Sequence, residues 1–546
     1  NGFWDYGPLG VLLKNNIRDW WWRNMVECPP IGPDGHPIDM VGVDTAIIQN
    51  PKTWVASGHA GGFSDPMVDD KGSKQRFRAD HLIGLFPSVE PGTPGFEEIT
   101  ARYFLMRDPD GNPRAVPVAV ISAASLGEAV DIIVTRPAAI AIDPVRNLGR
   151  IRRAEKYNPA VPVRNQVTGL WVEFKNTGRQ FCFLVTLVET DYLKDFHDRL
   201  PSPTSGKPGQ LTEPRQFNLM LTTEIGAVDP IKAYLRPETA QGIFLNFKNI
   251  IDTTRVKVPF GVAQVGKSFR NEVTPRNFIF RSREFEQMEM EWFCHPDEAV
   301  KWYQFWKQQR MNWWYSLGVD PGHLRFRDHE KDELSHYSKM TVDIEYLYPF
   351  TAPDFGELEG IAHRGCFDLT QHQQHSGQKL DYFDQELQLK LKEQGSSPEE
   401  IKAKSRYIPN VIEPASGLTR AVLVLLCEAY RYQKDRQGTE EFLSLRPRFA
   451  PIKLGIFPLV NKEGMPEVAE KLYLDLRTKF TCEYDPKQSI GKRYARMDEI
   501  GTPFCVTIDG QTLTDGTVTI RQRDTMQQDR IATDKIESYV RDQLQS

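Results

Sequence analysis

A chain of 546 residues with 40% hydrophobic and 26% charged side chains has the composition of a folded globular protein of two to four domains, which excludes a fibrous or disordered one. A formal charge of −5 excludes a polycationic coat for nucleic acid but leaves room for a local basic patch. The seven cysteines are scattered without a C-x-x-C pair, and no apolar run nears the ~20 residues that span a bilayer.

The chain opens on Asn1 without a signal-peptide pattern, so a reducing, cytoplasmic setting is expected, with sequence preceding Asn1. In chain order, "GPLGVLLKNNIRDWWWRNMV" predicts an amphipathic helix from about residue 8 to 26, with Val11, Leu12, Ile17, Trp20 and Trp21 on its apolar side. That tryptophan-rich side suits either core packing or a subunit interface. "MVGVDTAIIQNP" reads as a strand stopped at Pro51. Over about 91–210, the turn-rich "EPGTPG", "PDGNP" and "PSPTSGKPGQ" separate short pieces, the texture of an insertion. Its basic run over 146–156 suits a solvated face or RNA. Regular strands return over 212–293, a tryptophan-rich helix spans 297–318, and 408–431 reads strand, loop, helix. From about 447, strands ("IKLGIFPLV", "FCVTID", "TVTIRQR") alternate with helices, which predicts a small α/β domain with a mostly parallel or mixed sheet.

The densest chemistry lies in "SFRNEVTPRNFIFRSREFEQMEMEWF", residues 268–293, which reads as two strands around a long loop. Period two puts Phe285, Gln287, Glu289 and Glu291 on one face of the second strand, while Arg270 and Glu272 share a face of the first. Guanidinium groups grip phosphate bidentately, a phenyl ring stacks on a base, and carboxylates accept from an exocyclic amine or an ammonium. On pattern alone, a nucleotide site and a surface salt-bridge ladder both remain open. Farther on, Gly417 precedes an apolar helix with Arg420 in its first turn, a favourable place for an anion, and Glu413 lies just upstream. Glu357 and Glu359 in "FGELEG" are oxygen ligands suited to Mg²⁺. His372 and His375 in "HQQH" lack the further ligands of a metal site. Neither a Walker loop nor a G-x-G-x-x-G is present.

These residues carry a resemblance. "FRNE" with "REFEQMEMEWF" is similar to motif 2 of class II aminoacyl-tRNA synthetases, "IEPASGLTR" to motif 3, and "GFWDYGPLGVLLKNNI" to the motif 1 region. "WVASGHAGGFSDP", "RFRADHL", "LTEPRQFNLM", "YLRPETAQGIFLNF", "ELSHYSKMTVDIEY" and "GELEGIAHRGCFDL" resemble the phrases of the homodimeric glycyl-tRNA synthetase family. "SIGKRYARMDEIGTPFCVTID" is similar to its anticodon-binding domain. The likeness runs nearly end to end and is weakest over about 95–200.

The resemblance implies an α+β class II catalytic domain, an antiparallel sheet flanked by helices, with insertions and a C-terminal α/β anticodon-binding domain. The implied boundaries are 1–94 and 211–445 for the catalytic domain, 95–210 for the insertion and 446–546 for the anticodon-binding domain. It implies attachment of glycine to tRNA(Gly) through a glycyl-adenylate, by a homodimer using ATP and Mg²⁺ but no zinc, and without a membrane. Arg270 and Arg420 are the implied catalytic groups. ATP would meet Arg270, Asn271, Glu272, Phe280, Arg281, Phe285, Glu357, Leu358, Gly417 and Arg420, with adenine between Phe285 and Arg420. Glycine would meet Arg78, Glu238, Phe285, Gln287, Glu289, Glu413, Ala415 and Ser416. Glu357 and Glu413 are the implied Mg²⁺ carboxylates, and Arg276 is left for the acceptor end of tRNA. Every competing amino acid is larger than glycine, so a filled pocket rejects it by overlap and no editing domain is required.

Two departures stand out. The family usually reads "EPSAG" before the motif 3 helix, whereas this chain has "EPASG", which puts Ala415 where a serine is expected. "PFTAPDFGELEG" is also a longer approach to "GELEG" than is usual there. Two rival expectations are a class II enzyme for another amino acid, such as serine or threonine, and a synthetase-like RNA- or polymerase-binding subunit without catalysis. The latter should lack the ATP arginines that this chain keeps.

Overall fold

Helix α1 (Pro8–Trp22) and the wider π turn that extends it to Glu27 bury Leu13, Ile17, Trp21 and Met25, four residues apart along one stripe. The computed structural model describes residues 2–88, 104–107, 113–115, 117, 119–123, 126–135, 148–153, 168–174, 180–330, 334–335 and 338–545. The chain divides into two compact units, residues 1–60 with 220–546, and residues 61–219.

The first unit is built on a seven-stranded sheet of β1 (Asp39–Gly42), β2 (Phe260–Phe269), β3 (Glu284–Cys294), β4 (Leu324–Asp328), β5 (Met340–Tyr346), β6 (Gly356–Gly365) and β7 (Asn410–Gly417). The strand order is β1-β2-β3-β7-β6-β5-β4. Only β1 and β2 run parallel; every other pair is antiparallel. Helices α2 (Ala240–Thr254), α3 (Ala299–Ser316), α4 (Phe367–Ser376) and α5 (Leu418–Ala429) pack around it.

Alternation along β3 sorts its residues between two environments. Met288, Met290, Trp292 and Cys294 are fully buried in one core with Trp302, Trp306 and Trp314 of α3, with α1 and with α5. Nearer α2, Phe293 joins Phe244, Phe247, Phe260 and Val262 in a second core. The tryptophan-rich first and third helices are therefore core elements.

Two local expectations shift. The strand expected up to Pro51 ends at Gly42, because Pro51 opens a short helix (Pro51–Ala56) whose first turn is capped by Asn50 accepting from the Lys52 N–H at 3.0 Å. β2 ends at Phe269, so Arg270 and Glu272 lie on the loop beyond it rather than on a strand face. There the Arg270 N–H donates to Arg283 O (2.9 Å), and the Glu272 N–H turns back onto Arg270 O (2.7 Å).

The second unit begins and ends outside the expected 95–210. Residues Leu82–Ser88 pair with Gln180–Leu187, and Arg215–Asn218 pair with Ser64–Asp69. These antiparallel partners put 61–88 and 211–219 with the second compact unit, whereas the expected boundaries place them in the catalytic domain. Of the basic run, Leu148–Arg153 forms an edge strand of a five-stranded sheet; its side chains and the rest of 146–156 lie outside the described residues.

The C-terminal sheet of β8 (Leu454–Pro458), β9 (Cys482–Tyr484), β10 (Phe504–Ile508), β11 (Thr517–Gln522) and β12 (Gln528–Ala532) has the order β9-β8-β10-β11-β12. The first three strands are parallel and the last two antiparallel, a mixed sheet with its own core of Leu454, Ile456, Val506, Ile508, Val518 and Ile520. Among the described residues, no helix is long and apolar enough to cross a membrane.

Glu359 faces α3, where Arg310 Nε donates to it at 2.6 Å and Trp314 Nε1 at 2.6 Å, all within the core. The pairing corrects the expectation that Glu359 offers a metal ligand. Removing it leaves a buried guanidinium uncompensated, so Glu359→Ala should lower stability by about 3–5 kcal/mol. Urea unfolding followed by tryptophan fluorescence measures this, and a loss under about 1 kcal/mol would mean that the pair is dispensable.

Candidate active site

The polar face of β3 looks into a cavity of ≈ 210 Å³ whose wall includes Arg270, Glu272, Phe280, Arg281, Phe285, Gln287, Glu357, Leu358, Glu413, Ala415, Ser416, Gly417 and Arg420. The register across β3 and β7 sets Gln287 opposite Gly417 and Glu289 opposite Ala415, and β6 sets Gly360 opposite Ala415. Three neighbouring strands thus contribute one floor to the cleft. Asn271 is half-buried on the loop but is not part of this wall. Arg276, also on that loop, is exposed and bridges to Arg281 through the backbone.

One end of the cleft is rich in guanidinium groups. Arg270 Nε donates to Pro237 O at 3.1 Å, and its guanidinium carbon lies 5.5 Å from the centre of the Phe285 ring. Arg420 projects from the first turn of α5, which Gly417 precedes. It lies over the Phe280 ring at 4.9 Å, donates to Phe280 O and Glu357 O, and pairs with Glu357 Oε1 at 3.1 Å. The aromatic partner of Arg420 is therefore Phe280, whereas Phe285, the expected adenine platform, has Arg270 beside it. Arg420 holds Glu357 below the usual carboxylate range, helped by Arg270 and Arg281. Arg281 is shifted down by burial, partly offset by Glu272, with Arg276 and Arg420 adding like-charge repulsion. Guanidinium groups gathered in this way suit a polyanion.

The other end is acidic. Glu289, Glu291 and Glu413 each offer a carboxylate oxygen within 4.8 Å of the others, and all three are buried. Glu289 accepts from the Thr239 N–H at 2.9 Å and from the Thr239 hydroxyl. Glu238, buried behind the wall, accepts from Gln241 Nε2 at 2.9 Å and lies 3.4 Å from His59 Nε2. Arg364 ties the group together: its Nη1 donates to Glu413 at 2.5 Å, its Nε and Nη2 to Asp368 at 2.8 and 2.9 Å, and Nη2 lies 3.8 Å from Glu238. Burial and the carboxylates of Glu413 and Glu238 push Glu289 up to about 8. Burial alone would raise Glu238 as well, but His59 and Arg364 hold it well below the usual range. A buried cluster with more carboxylates than neighbouring cations suits an ammonium group.

The arrangement corrects the pairing of Glu357 with Glu413 as one metal centre. Glu413 lies opposite Ala362, and Glu357 sits five positions back along β6, roughly 17 Å away along the strand. Glu413 belongs to the acidic end, while Glu357 stays open to the cleft as an oxygen donor fit for Mg²⁺. His372 Nε2 bonds Gln241 Oε1 at 2.7 Å as part of the support beneath Glu238, and His375 is exposed.

Ala415 shares the face of Glu289, and Ser416 is one position out of phase with it. The Ser416 hydroxyl is buried without a hydrogen-bond partner, so the loop does not shift to bring it into the role expected of a serine at 415. Gln287 is held by Ser268 Oγ, which donates to Gln287 Oε1 at 2.6 Å. Arg78 belongs to the other unit, where it donates to Asp80 at 3.0 and 2.6 Å and lies 3.2 Å from Asp65.

Sequence reasoning missed the supports Arg364, Asp368, Thr239, Gln241 and His59. The i, i+4 spacing of Arg364 and Asp368 in "RGCFD" was the one local signal for them.

The family model for the tRNA synthetase class II core domain (G, H, P, S and T) matches residues 229–430, and that for the anticodon binding domain matches 453–543. A glycine--tRNA ligase of Rhodopirellula baltica is 42% identical, covering 100% of this chain and 95% of its own length. Those of Lachnoclostridium phytofermentans and Corynebacterium efficiens are 41% and 40% identical, over 98% and 99% of this chain and 92% of each relative. With a class II sheet, a cleft charged oppositely at its two ends and relatives matched over nearly their full length, the chain belongs to the glycine--tRNA ligase family of class II aminoacyl-tRNA synthetases.

Proposed function

We propose that the cleft joins glycine to ATP as glycyl-adenylate and then transfers the glycyl group to tRNA(Gly). The observation that carries this reading is the opposite charge of the two ends of one strand face. Arg270, Arg281 and Arg420 gather at the Phe285 end, and Glu289 with Glu413 and Glu238 at the other. The pattern suits a ligand with phosphates at one end and an ammonium at the other.

In the first step a carboxylate oxygen of glycine attacks the α-phosphorus, the bond to the bridging oxygen breaks, and pyrophosphate leaves with that electron pair. Arg270 and Arg281 offset the negative charge that builds on the phosphoryl oxygens, and no side chain is required as nucleophile or base. Mg²⁺ held by Glu357 would supply charge neutralisation for the outer phosphates. In the second step the terminal ribose hydroxyl of tRNA attacks the glycyl carbonyl carbon. AMP leaves as the ester forms, and the hydroxyl proton passes to a phosphate oxygen or to water.

Glu289 and Glu413 receive the ammonium, and the absence of a side-chain hydroxyl at Ala415 leaves that end one donor–acceptor short of the family pattern. The C-terminal α/β domain reads the anticodon, and Arg276 meets the acceptor end. A homodimer fits the apolar side chains left exposed on the hairpin of Thr222–Ile225 and Ile231–Tyr234, where Ile225, Val228 and Ile231 are 48, 88 and 67% exposed, and a cytoplasmic setting fits the scattered cysteines.

Arg270→Ala should cut glycine-dependent ATP–pyrophosphate exchange by about 10²–10³-fold; near-normal exchange would sink the assignment. Ala415→Ser should lower the KM for glycine by roughly three- to tenfold without changing that for ATP, the gain of one hydrogen bond near a charge. An unchanged KM would mean that the hydroxyl does not reach the amine. The pH dependence has a definite sign: an ammonium needs Glu289 ionised, and burial raises the pH at which this occurs. The KM for glycine should therefore fall as pH rises from 6 to about 8 and then level off. A KM that is flat over this range would contradict the role of Glu289.

A further inference from the structure

Glu291 belongs to the acidic end and takes part in no step above. It is fully buried, and both of its oxygens lack a hydrogen-bond partner. It sits two residues beyond Glu289 on the same strand face, with an oxygen within 4.8 Å of both Glu289 and Glu413. Around the cluster, Arg364 donates to Glu413 and Asp368 and lies 3.8 Å from Glu238, Thr239 donates to Glu289, Arg236 acts on Glu289 by charge, and His59 lies 3.4 Å from Glu238. An ionised Glu291 would be a buried charge beside Glu413 and Glu289, only partly offset by Arg364, the situation in which two neighbouring carboxyl groups share one proton.

We propose that Glu291 is a positioning residue for glycine: a neutral carboxylic acid that donates its proton to the Glu413 carboxylate and, opposite Arg364, fixes the oxygens that meet the ammonium. A Glu291 oxygen lies within 4.8 Å of one from Glu413, and burial, reinforced by the like charge of Glu413, pushes the Glu291 carboxyl well above its usual range. Arg364 takes Glu413 Oε2, which leaves the other oxygen as the acceptor. The carboxyl group of Glu291 is thereby to Glu413 what the Thr239 hydroxyl is to Glu289, a fixed donor that sets the direction of a charged acceptor. This inference rests on the reading of Glu289 and Glu413 as the ammonium site.

The test uses the full chain and two variants, Glu291→Gln, which keeps a neutral donor of the same shape, and Glu291→Leu, which removes it. ATP–pyrophosphate exchange gives the KM values for glycine and ATP, and thermal melting checks the fold. Glu291→Gln should keep a glycine KM within about threefold of the parent, while Glu291→Leu should raise it about tenfold or more with the ATP KM unchanged. If Glu291→Gln raises the glycine KM as much as Glu291→Leu, the negative charge of Glu291 is what matters and the proposal falls. It also falls if Glu291→Leu matches the parent.

Should Glu291→Leu fail to fold, infrared difference spectroscopy of the parent against Glu291→Gln decides at neutral pH. The carbonyl stretch of a protonated carboxylic acid should be present in the parent and lost in the variant, and its absence from the parent overturns the proposal. Failure of the parent itself to activate glycine would instead overturn the ammonium-site reading beneath it.

Discussion

A single buried guanidinium, that of Arg364, holds the acidic end of the cleft together. It bonds Glu413 and Asp368 directly and lies close to Glu238, so that carboxylates from β7, α4 and the segment before α2 converge without forcing the strands apart. Without it, the buried carboxylates would repel one another or take up protons, and neither outcome leaves a defined site for a cation. Because Arg364 is on β6 and Asp368 follows on α4, the same contact also fixes the angle at which that helix leaves the sheet.

The remainder of the site follows from alternation along β3. Residues of one parity are methionine, tryptophan and cysteine, and they anchor the strand in the core against α3. Residues of the other parity run from Phe285 through Gln287 and Glu289 to Glu291. Over this short distance the environment changes from aromatic and cationic to acidic. The rigidity of a strand buried on both faces keeps those groups at fixed spacing, which preorganised charge stabilisation requires. The loop after β2 and the first turn of α5 then bring Arg270 and Arg420 to the cationic end, each beside a phenyl ring.

Much of this was legible in the sequence because it depends on local periodicity. The parity of Phe285, Gln287, Glu289 and Glu291 needs only the strand, and the position of Arg420 needs only the Gly417 helix start. Whatever depends on register between distant strands was not legible. The resemblance implies Glu357 and Glu413 as Mg²⁺ carboxylates, yet the β6–β7 register sets them apart. Glu359, two residues after Glu357, would share its face on a regular strand, but the register shift against β5 between them turns it onto Arg310. The unit boundary was displaced for the same reason, since one partner strand of each of 64–69 and 82–88 lies more than 90 residues downstream. The transposition of Ala415 and Ser416 lies between these cases. Its presence could be read directly, but its consequence became clear only once the register put the methyl group, not the hydroxyl, on the face of Glu289.

The central claim is that the acidic end admits the ammonium of glycine with no room for a side chain, while the cationic end takes ATP. Amino-acid-dependent ATP–pyrophosphate exchange by the full chain, with glycine, alanine, serine and threonine supplied separately, tests both halves at once. The account predicts strong exchange with glycine and only background with the other three. Exchange with serine or threonine equal to that with glycine would contradict it, as would no exchange with any of the four.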